Sequence, residues 1–196
     1  MARPLNSTKE RKPLFQEDFD RLILKVKRSK QLKKPTKLKL LRAYTILFYT
    51  GCRANEINDF DLDDLTFIKN HMTTSLDNKN KTKKTRLLRF NKVGLKAISE
   101  LETYDCKTKL FYKNKSDHNI SENSFIRLLN KYLKMFLNEL YTTHSFRAGL
   151  INAVYEATGN IKIAQKVAGH KSVKTTLIYI VATENQVEDA LDKIFK

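Results

Sequence analysis

Apolar residues recur at helical spacing along most of this chain. Phe15, Phe19, Leu22, Ile23 and Val26 stand three or four apart, the repeat of a single helix face, so residues 14–29 are predicted to be helical. A second helix is predicted over 36–50, with Leu40, Leu41, Tyr44, Leu47 and Phe48 facing inward. The lysine-rich stretch around Pro35 is expected to be a loop. Gly51 is suited to end the second helix, because glycine tolerates a left-handed cap, and a short helix then opens near Arg53. After residue 60 the texture changes. Residues 65–68 and 71–76 carry β-branched and apolar residues typical of strands, 85–90 read as a third strand, and 77–84 form a basic, turn-rich tip. Helical spacing returns over 91–103, capped by Asn91, and over 122–140, where Phe125, Leu128, Leu129, Tyr132, Leu133 and Phe136 point to a core. Further helices are expected over 143–159, 161–168 and 175–179, with 104–120 as loop. The fold class is mainly α with a small antiparallel β-sheet (α+β).

Residues 1–13 are polar, contain Pro4 and Pro13, and read as a linker or tail. The body of the chain is expected over 14–182. Residues 183–196 read as a last helix: Thr183 and Gln186 have the spacing of a capping box, and Val187, Ala190, Leu191, Ile194 and Phe195 form an apolar stripe. Such a stripe docks either on its own core or on a neighbouring subunit.

Charge narrows the function. Lys and Arg number 38 against 21 Asp and Glu, a net +17 over 196 residues. Partners of so basic a chain are nucleic acids or anionic membranes. No apolar run reaches the ~18 residues of a membrane span, and the N-terminus has no apolar signal region. Two cysteines, Cys52 and Cys106, fit a reducing compartment better than a disulfide scaffold. No Cys or His pair has metal-ligand spacing, so no structural zinc is expected. Ten basic residues and no acid lie between Arg21 and Arg42. They read either as solvated helix faces or as a DNA-facing surface, and the whole-chain charge favours the second. Asp59, Asp61, Asp63 and Asp64 read as solvated turn positions.

The chemistry concentrates in three places. His144 and Arg147 have H-x-x-R spacing, His170 follows Gly169, and Tyr179 ends T-T-x-x-Y with Thr175 and Thr176. A guanidinium offers paired donors to phosphate oxygens, imidazoles donate near neutral pH, and a phenol can attack phosphorus when its developing oxyanion is stabilised. Ninety-four residues before Arg147, Thr50-Gly51-Cys52-Arg53 leads to Glu56, with Arg53 near a helix start, where backbone N–H groups favour phosphate. Glu56, three residues on, reads as a buried support for Arg53, the alternative for Arg53 being a surface ion pair with Glu56 or Asp59. Tyr104, Tyr112, Tyr132 and Tyr141 read as packing or surface aromatics.

In order and spacing, T-G-x-R-x-x-E, H-x-x-R, A-G-H and T-T-x-x-Y resemble the catalytic domain of the tyrosine recombinases, or phage integrases. The resemblance covers residues 14–196, the catalytic domain alone, in an excised fragment or a minimal enzyme. It implies that 14–182 form a catalytic domain and that Arg53, Lys81, His144, Arg147, His170 and Tyr179 are the catalytic groups; members of the family often dock the last helix on a neighbouring protomer, and for 183–196 both docking modes stay open. Lys81 enters from the family's hairpin lysine, with Lys79, Lys83 and Lys84 as competitors. The residue after Arg147, often His in the family, is Ala148. The implied partner is double-stranded DNA, bound by a homo-oligomer, dimer or tetramer. No cofactor or metal is implied, and the setting would be the cytoplasm, the nucleoid or an organelle. Two rival readings remain: a catalytically silent DNA-binding relative and a type IB topoisomerase-like enzyme.

Overall fold

The computed structural model describes residues 12–71, 73–75, 87–113, 118–180 and 191–192. The chain divides into two compact units, residues 1–150 and 151–196, and the division falls inside one helix.

Unit 1 is mainly helical. Helix α1 (Gln16–Arg28) buries Phe19, Leu22 and Val26, as the spacing predicts. Helix α2 (Lys34–Thr50) starts two residues before the predicted point, because Pro35 sits in its first turn, where the absent N–H and fixed φ suit a helix start. Phe19 of α1 stacks on Phe48 of α2 with ring centroids 4.0 Å apart. Gly51 ends α2 at φ 59°, and α3 (Ala54–Ile57) follows at once.

Residues 65–68 are not a strand. They lie in α4 (Leu62–His71), which buries Leu65 and Ile68. The acids upstream explain this. The backbone N–H of Asp64 donates to Asp61 Oδ1 at 3.0 Å, and that of Asp61 to Asp64 Oδ2 at 3.1 Å. Asp61 and Asp64 thus cap the helix reciprocally, and Asp63 and Asp64 sit in its first turn, where negative charge is favoured. Three-residue strands β1 (Thr73–Ser75) and β2 (Leu87–Arg89) pair antiparallel, Thr73 opposite Arg89. The basic tip that holds Lys81 lies outside the described residues. Helix α5 (Lys92–Ser99) is capped as expected, Asn91 Oδ1 accepting from the Gly94 N–H at 2.7 Å. Helix α6 (Glu122–Phe136) buries Phe125, Leu129, Leu133 and Phe136 and stops four residues before the predicted end. The Tyr44 hydroxyl, fully buried, ties α2 to it by donating to the Leu129 carbonyl at 2.8 Å.

Most cations of the basic stretch are exposed, as both readings of it require, but Arg42 is not. Arg42 is 1% exposed and donates to both carboxylate oxygens of Asp105 at 2.7 and 3.2 Å and to the Glu102 carbonyl. Tyr112 donates to the same carboxylate at 2.6 Å, and the Lys39 ammonium stands 4.2 Å over the Tyr112 ring. Lys25 donates to the Phe136 carbonyl and Lys37 to that of Lys27. Part of the charge that looked like a binding surface is spent on internal packing.

Helix α7 (Thr143–Thr158) and α8 (Ile161–Ala168) match their predicted bounds within a residue. Gly149 on α7 is required by close approach: a Cβ there would lie 2.0 Å from the Leu14 carbonyl oxygen. Leu14 also donates its N–H to the Ser145 carbonyl at 2.9 Å. Unit 2 has a small core of Ile151, Ala164 and Ala168, with Val154, Tyr155, Tyr179 and Ile180 packed on it. Among the described residues no helix is long and apolar enough to cross a membrane.

Two stability outcomes follow. Gly149→Ala should destabilise unit 1 by about 2 kcal/mol or more, because the clash is with backbone and overpacking relaxes poorly there; urea denaturation measures it. Burial raises the Asp105 carboxyl, but the hydrogen bonds from Arg42 and Tyr112 and the charge of Arg42 outweigh it and leave the group below its ordinary value. A lowered folded-state value stabilises above the unfolded value of about 3.9 and is lost as pH falls through the folded one. The stability gap between the native chain and Asp105→Asn should therefore be full at pH 6 and shrink steadily below about pH 4. A gap that stays constant down to pH 2 would contradict the assignment.

Candidate active site

The candidate groups of unit 1 are held by two junctions. At the first, Arg53 directly precedes α3. Its backbone N–H donates to Glu56 Oε2 at 2.8 Å, and its Nη1 lies 3.1 Å from Glu56 Oε1. Glu56 is 1% exposed and the Arg53 side chain 44%. The expected support by Glu56 and the ion pair offered as its alternative are thus one arrangement: a buried carboxylate holding an exposed guanidinium. Of the N–H groups at this helix start, that of Arg53 is taken by Glu56.

The second junction joins α2 to α7. Arg147 is 2% exposed, and its Nη1 donates to the Gly51 carbonyl at 2.9 Å. The left-handed turn that stops α2 therefore presents the acceptor for a guanidinium 96 residues away, two positions before Arg53. His144, half-buried in the first turn of α7, donates its backbone N–H to Thr142 Oγ1 at 3.3 Å.

Unit 2 carries the other two groups. Gly169 ends α8 at φ 68°, and His170 follows with its side chain buried. Its Nδ1 is 3.0 Å from Thr176 Oγ1, and its ring stacks on that of Tyr179 with centroids 5.7 Å apart and planes 20° from parallel. Helix α9 (Val173–Leu177) starts two residues before the predicted point, because the Ser172 side chain caps it. Tyr179 consequently lies in the turn beyond α9, with its N–H donating to the Thr176 carbonyl at 3.0 Å. Its own carbonyl accepts from Asn152 Nδ2 at 2.8 Å. Lys81, the sixth expected group, lies outside the described residues.

A family model described as the phage integrase family matches residues 12–186. The chain belongs to the phage integrase family.

Among relatives of this integrase-family chain is a probable integrase/recombinase of Acholeplasma phage L2. It is 30% identical over 183 residues, covering 92% of this chain and 61% of the phage protein. The crystal structure of XerA recombinase superposes with a TM-score of 0.70 at 20% identity, over 100% of this chain and 69% of that one. XerH site-specific recombinase, bound to a palindromic difH substrate in a post-cleavage complex, superposes with a TM-score of 0.69 at 18% identity, over 97% of this chain and 55% of that one. The chain spans about half to three-fifths of the length of the curated relatives it matches.

Three contacts of this integrase-family chain were not foreseen: Gly51 as the acceptor for Arg147, Thr176 as the partner of His170, and Asn152 as the anchor of Tyr179. Gly51 and Thr176 were visible as motif letters, but no local pattern says that a turn carbonyl accepts from a distant arginine. Nothing in the periodicity of α7 distinguishes Asn152.

Glu56→Ala should cost about 1–3 kcal/mol, because it leaves the Arg53 N–H and guanidinium without their buried acceptor. Glu56→Gln, which keeps an oxygen acceptor but not the charge, should recover part of it. Chemical denaturation separates the three chains, and equal midpoints would contradict the buried-support role.

Proposed function

We propose that this chain is the catalytic part of a site-specific DNA recombinase or integrase that breaks and rejoins DNA through a 3′-phosphotyrosine. The observation that carries the reading is the Arg147 to Gly51 hydrogen bond. It ties the H-x-x-R helix to the T-G-x-R turn, two arginine motifs far apart in sequence. Family membership, the stacked His170 and Tyr179 pair, and a post-cleavage substrate complex among the structural neighbours support it.

In this reading Tyr179 Oη attacks the scissile phosphorus. The P–O5′ bond breaks, the phenol's proton passes to solvent with the help of the neighbouring imidazoles, and the 5′ oxygen takes one from Lys81, which lies between β1 and β2 in sequence. A phenol's ordinary pKa near 10 means that the attack needs electrostatic help. Arg53 and Arg147 supply it by holding the non-bridging oxygens as charge builds in the pentavalent transition state. His144 and His170 orient the phosphate and assist proton movement. A 5′ hydroxyl from another strand then attacks the phosphotyrosine, restores a phosphodiester and frees the phenol. The bond energy stays in the intermediate throughout.

The β1–β2 ladder is the stem of the small antiparallel hairpin on which Lys81 is carried. Residues 14–182 are the catalytic domain, 1–13 a linker or tail, and 183–196 a helix that docks on a neighbouring protomer in a dimer or tetramer on double-stranded DNA. Such work fits a location in the cytoplasm, at the nucleoid or in an organelle.

With supercoiled plasmid in EDTA at low salt, a denaturing gel should show a protein–DNA adduct. Tyr179→Phe should bind DNA and give none. Arg147→Ala should lower cleavage by about a hundredfold to a thousandfold. Adduct formed equally by Tyr179→Phe would overturn the assignment. Salt-sensitive binding without adduct, on a suicide substrate as well as on plasmid, would favour the catalytically silent relative.

A further inference from the structure

We propose that Thr176 is a positioning residue that holds His170 in the tautomer with its proton on Nε2. The inference rests on the recombinase reading only for its catalytic consequence; the hydrogen-bond direction stands on its own.

Thr176 is the point where the two candidate groups of unit 2 meet. Its hydroxyl oxygen is 3.0 Å from His170 Nδ1, and its carbonyl accepts the Tyr179 N–H at 3.0 Å. The residue is fully buried. The His170 backbone is held separately: its carbonyl accepts from Gln165 Nε2 at 2.9 Å, and its N–H donates to the Gln165 carbonyl at 3.1 Å. With the main chain fixed on that side, the Thr176 hydroxyl faces Nδ1 and the Tyr179 ring stacks along the imidazole.

The direction of that hydrogen bond follows from counting protons. A hydroxyl has one proton to donate, and an unmade donor in a buried position costs about 1–3 kcal/mol. Among the described residues, His170 Nδ1 is the hydrogen-bond partner of the Thr176 hydroxyl. If Nδ1 carried the proton, the Thr176 hydroxyl would accept it and have to bury its own without an acceptor. If Nδ1 is the acceptor, both groups are satisfied and the ring proton sits on Nε2. His170 then presents a donor from its far nitrogen, the polarity needed to meet a phosphate oxygen. In metal sites and hydrolytic triads a partner fixes the imidazole tautomer by accepting a ring proton; here the hydroxyl does so by donating to the other nitrogen. Here the same residue also fixes the backbone of the nucleophile's turn, so the donor and the phenol are set by one side chain and its own peptide.

The test uses the full 196-residue chain with ¹⁵N-labelled histidine, the His170 signals being assigned with His170→Asn. Long-range ¹H–¹⁵N spectra near pH 8 should show a pyridine-like Nδ1 and a pyrrole-like Nε2. Thr176→Val, nearly the same shape without the hydroxyl, should give a mixture of tautomers, and Thr176→Ser should restore the native pattern. In the adduct assay Thr176→Val should slow cleavage about tenfold to a hundredfold with DNA binding unchanged, and Thr176→Ser should stay within about threefold of the native rate. A native Nδ1–H tautomer, or a Thr176→Val chain with native tautomer and native cleavage, would overturn the proposal. If the native chain forms no adduct, or Tyr179→Phe forms it equally, the recombinase reading fails and the spectra alone decide the role of Thr176.

Discussion

A buried guanidinium must be satisfied wherever the chain folds, and Arg147 makes that requirement the organising constraint of unit 1. Removing a cation from water costs several kcal/mol, which only well-placed hydrogen bonds offset. One of these comes from the Gly51 carbonyl, and it is available because α2 stops in a left-handed turn. Thr50 reinforces the turn: its hydroxyl donates to the Ile46 carbonyl at 2.6 Å and accepts the Cys52 N–H at 3.2 Å. On its other side α7 is pressed against Leu14, with a glycine where any larger residue would meet backbone. Helix α7 is thus registered twice, by a polar contact and by a steric one. Slipping it by one residue would strand a charge and create a clash together.

The two arginines differ in a way their motifs do not disclose. Arg147 is sequestered, so its position is dictated by the fold. Arg53 is partly in solvent, and its guanidinium is held by one carboxylate. A pair of this kind combines a rigid anchor with a group free to adjust to a ligand. Unit 2 extends the contrast. Its described core is three small or medium side chains, against more than twenty in unit 1. The candidate nucleophile sits in a turn packed on these side chains. Asn152 and Thr176 hold the two peptide groups of Tyr179, its carbonyl and its N–H.

Much of this was legible in the sequence. Helices α1, α2 and α5 follow from three-and-four spacing and from caps at Asn91 and Gly51, and α7 and α8 from the motifs and glycines that bound them. Motif spacing singled out the arginine, histidine and tyrosine positions as candidates. The failures have physical causes. Residues 65–68 carry strand-like side chains, but Leu65 and Ile68 are also one helical turn apart, and the Asp61–Asp64 cap decides between the two. Helix α6 was expected to reach residue 140, yet apolar spacing beyond Phe136 cannot tell a buried turn from an exposed one. Arg42 was counted with the surface cations because its acceptor, Asp105, is 63 residues away. Long-range partners of polar groups are the part that periodicity cannot reach.

The fate of Arg42 bears on how the charge of +17 should be understood. Between Arg21 and Arg42, six of the ten cations have a defined partner: Arg21 on Asp18, Lys25 and Lys37 on carbonyls, Lys34 and Lys39 over tyrosine rings, and Arg42 on Asp105. Net charge sets the long-range field, which attracts a polyanion whatever the side chains are doing. Contact is a different quantity, because only a cation that can exchange its present partner for a phosphate releases a counterion on binding. Arg42 cannot make that exchange without leaving Asp105 and the Tyr112 hydroxyl behind in the interior. The exposed Lys27, Arg28, Lys30 and Lys33 can. The stretch therefore divides into cations tied to partners within the fold, Arg42 above all, and exposed cations that can meet a phosphate. Burial singles out Arg42, and composition does not record burial.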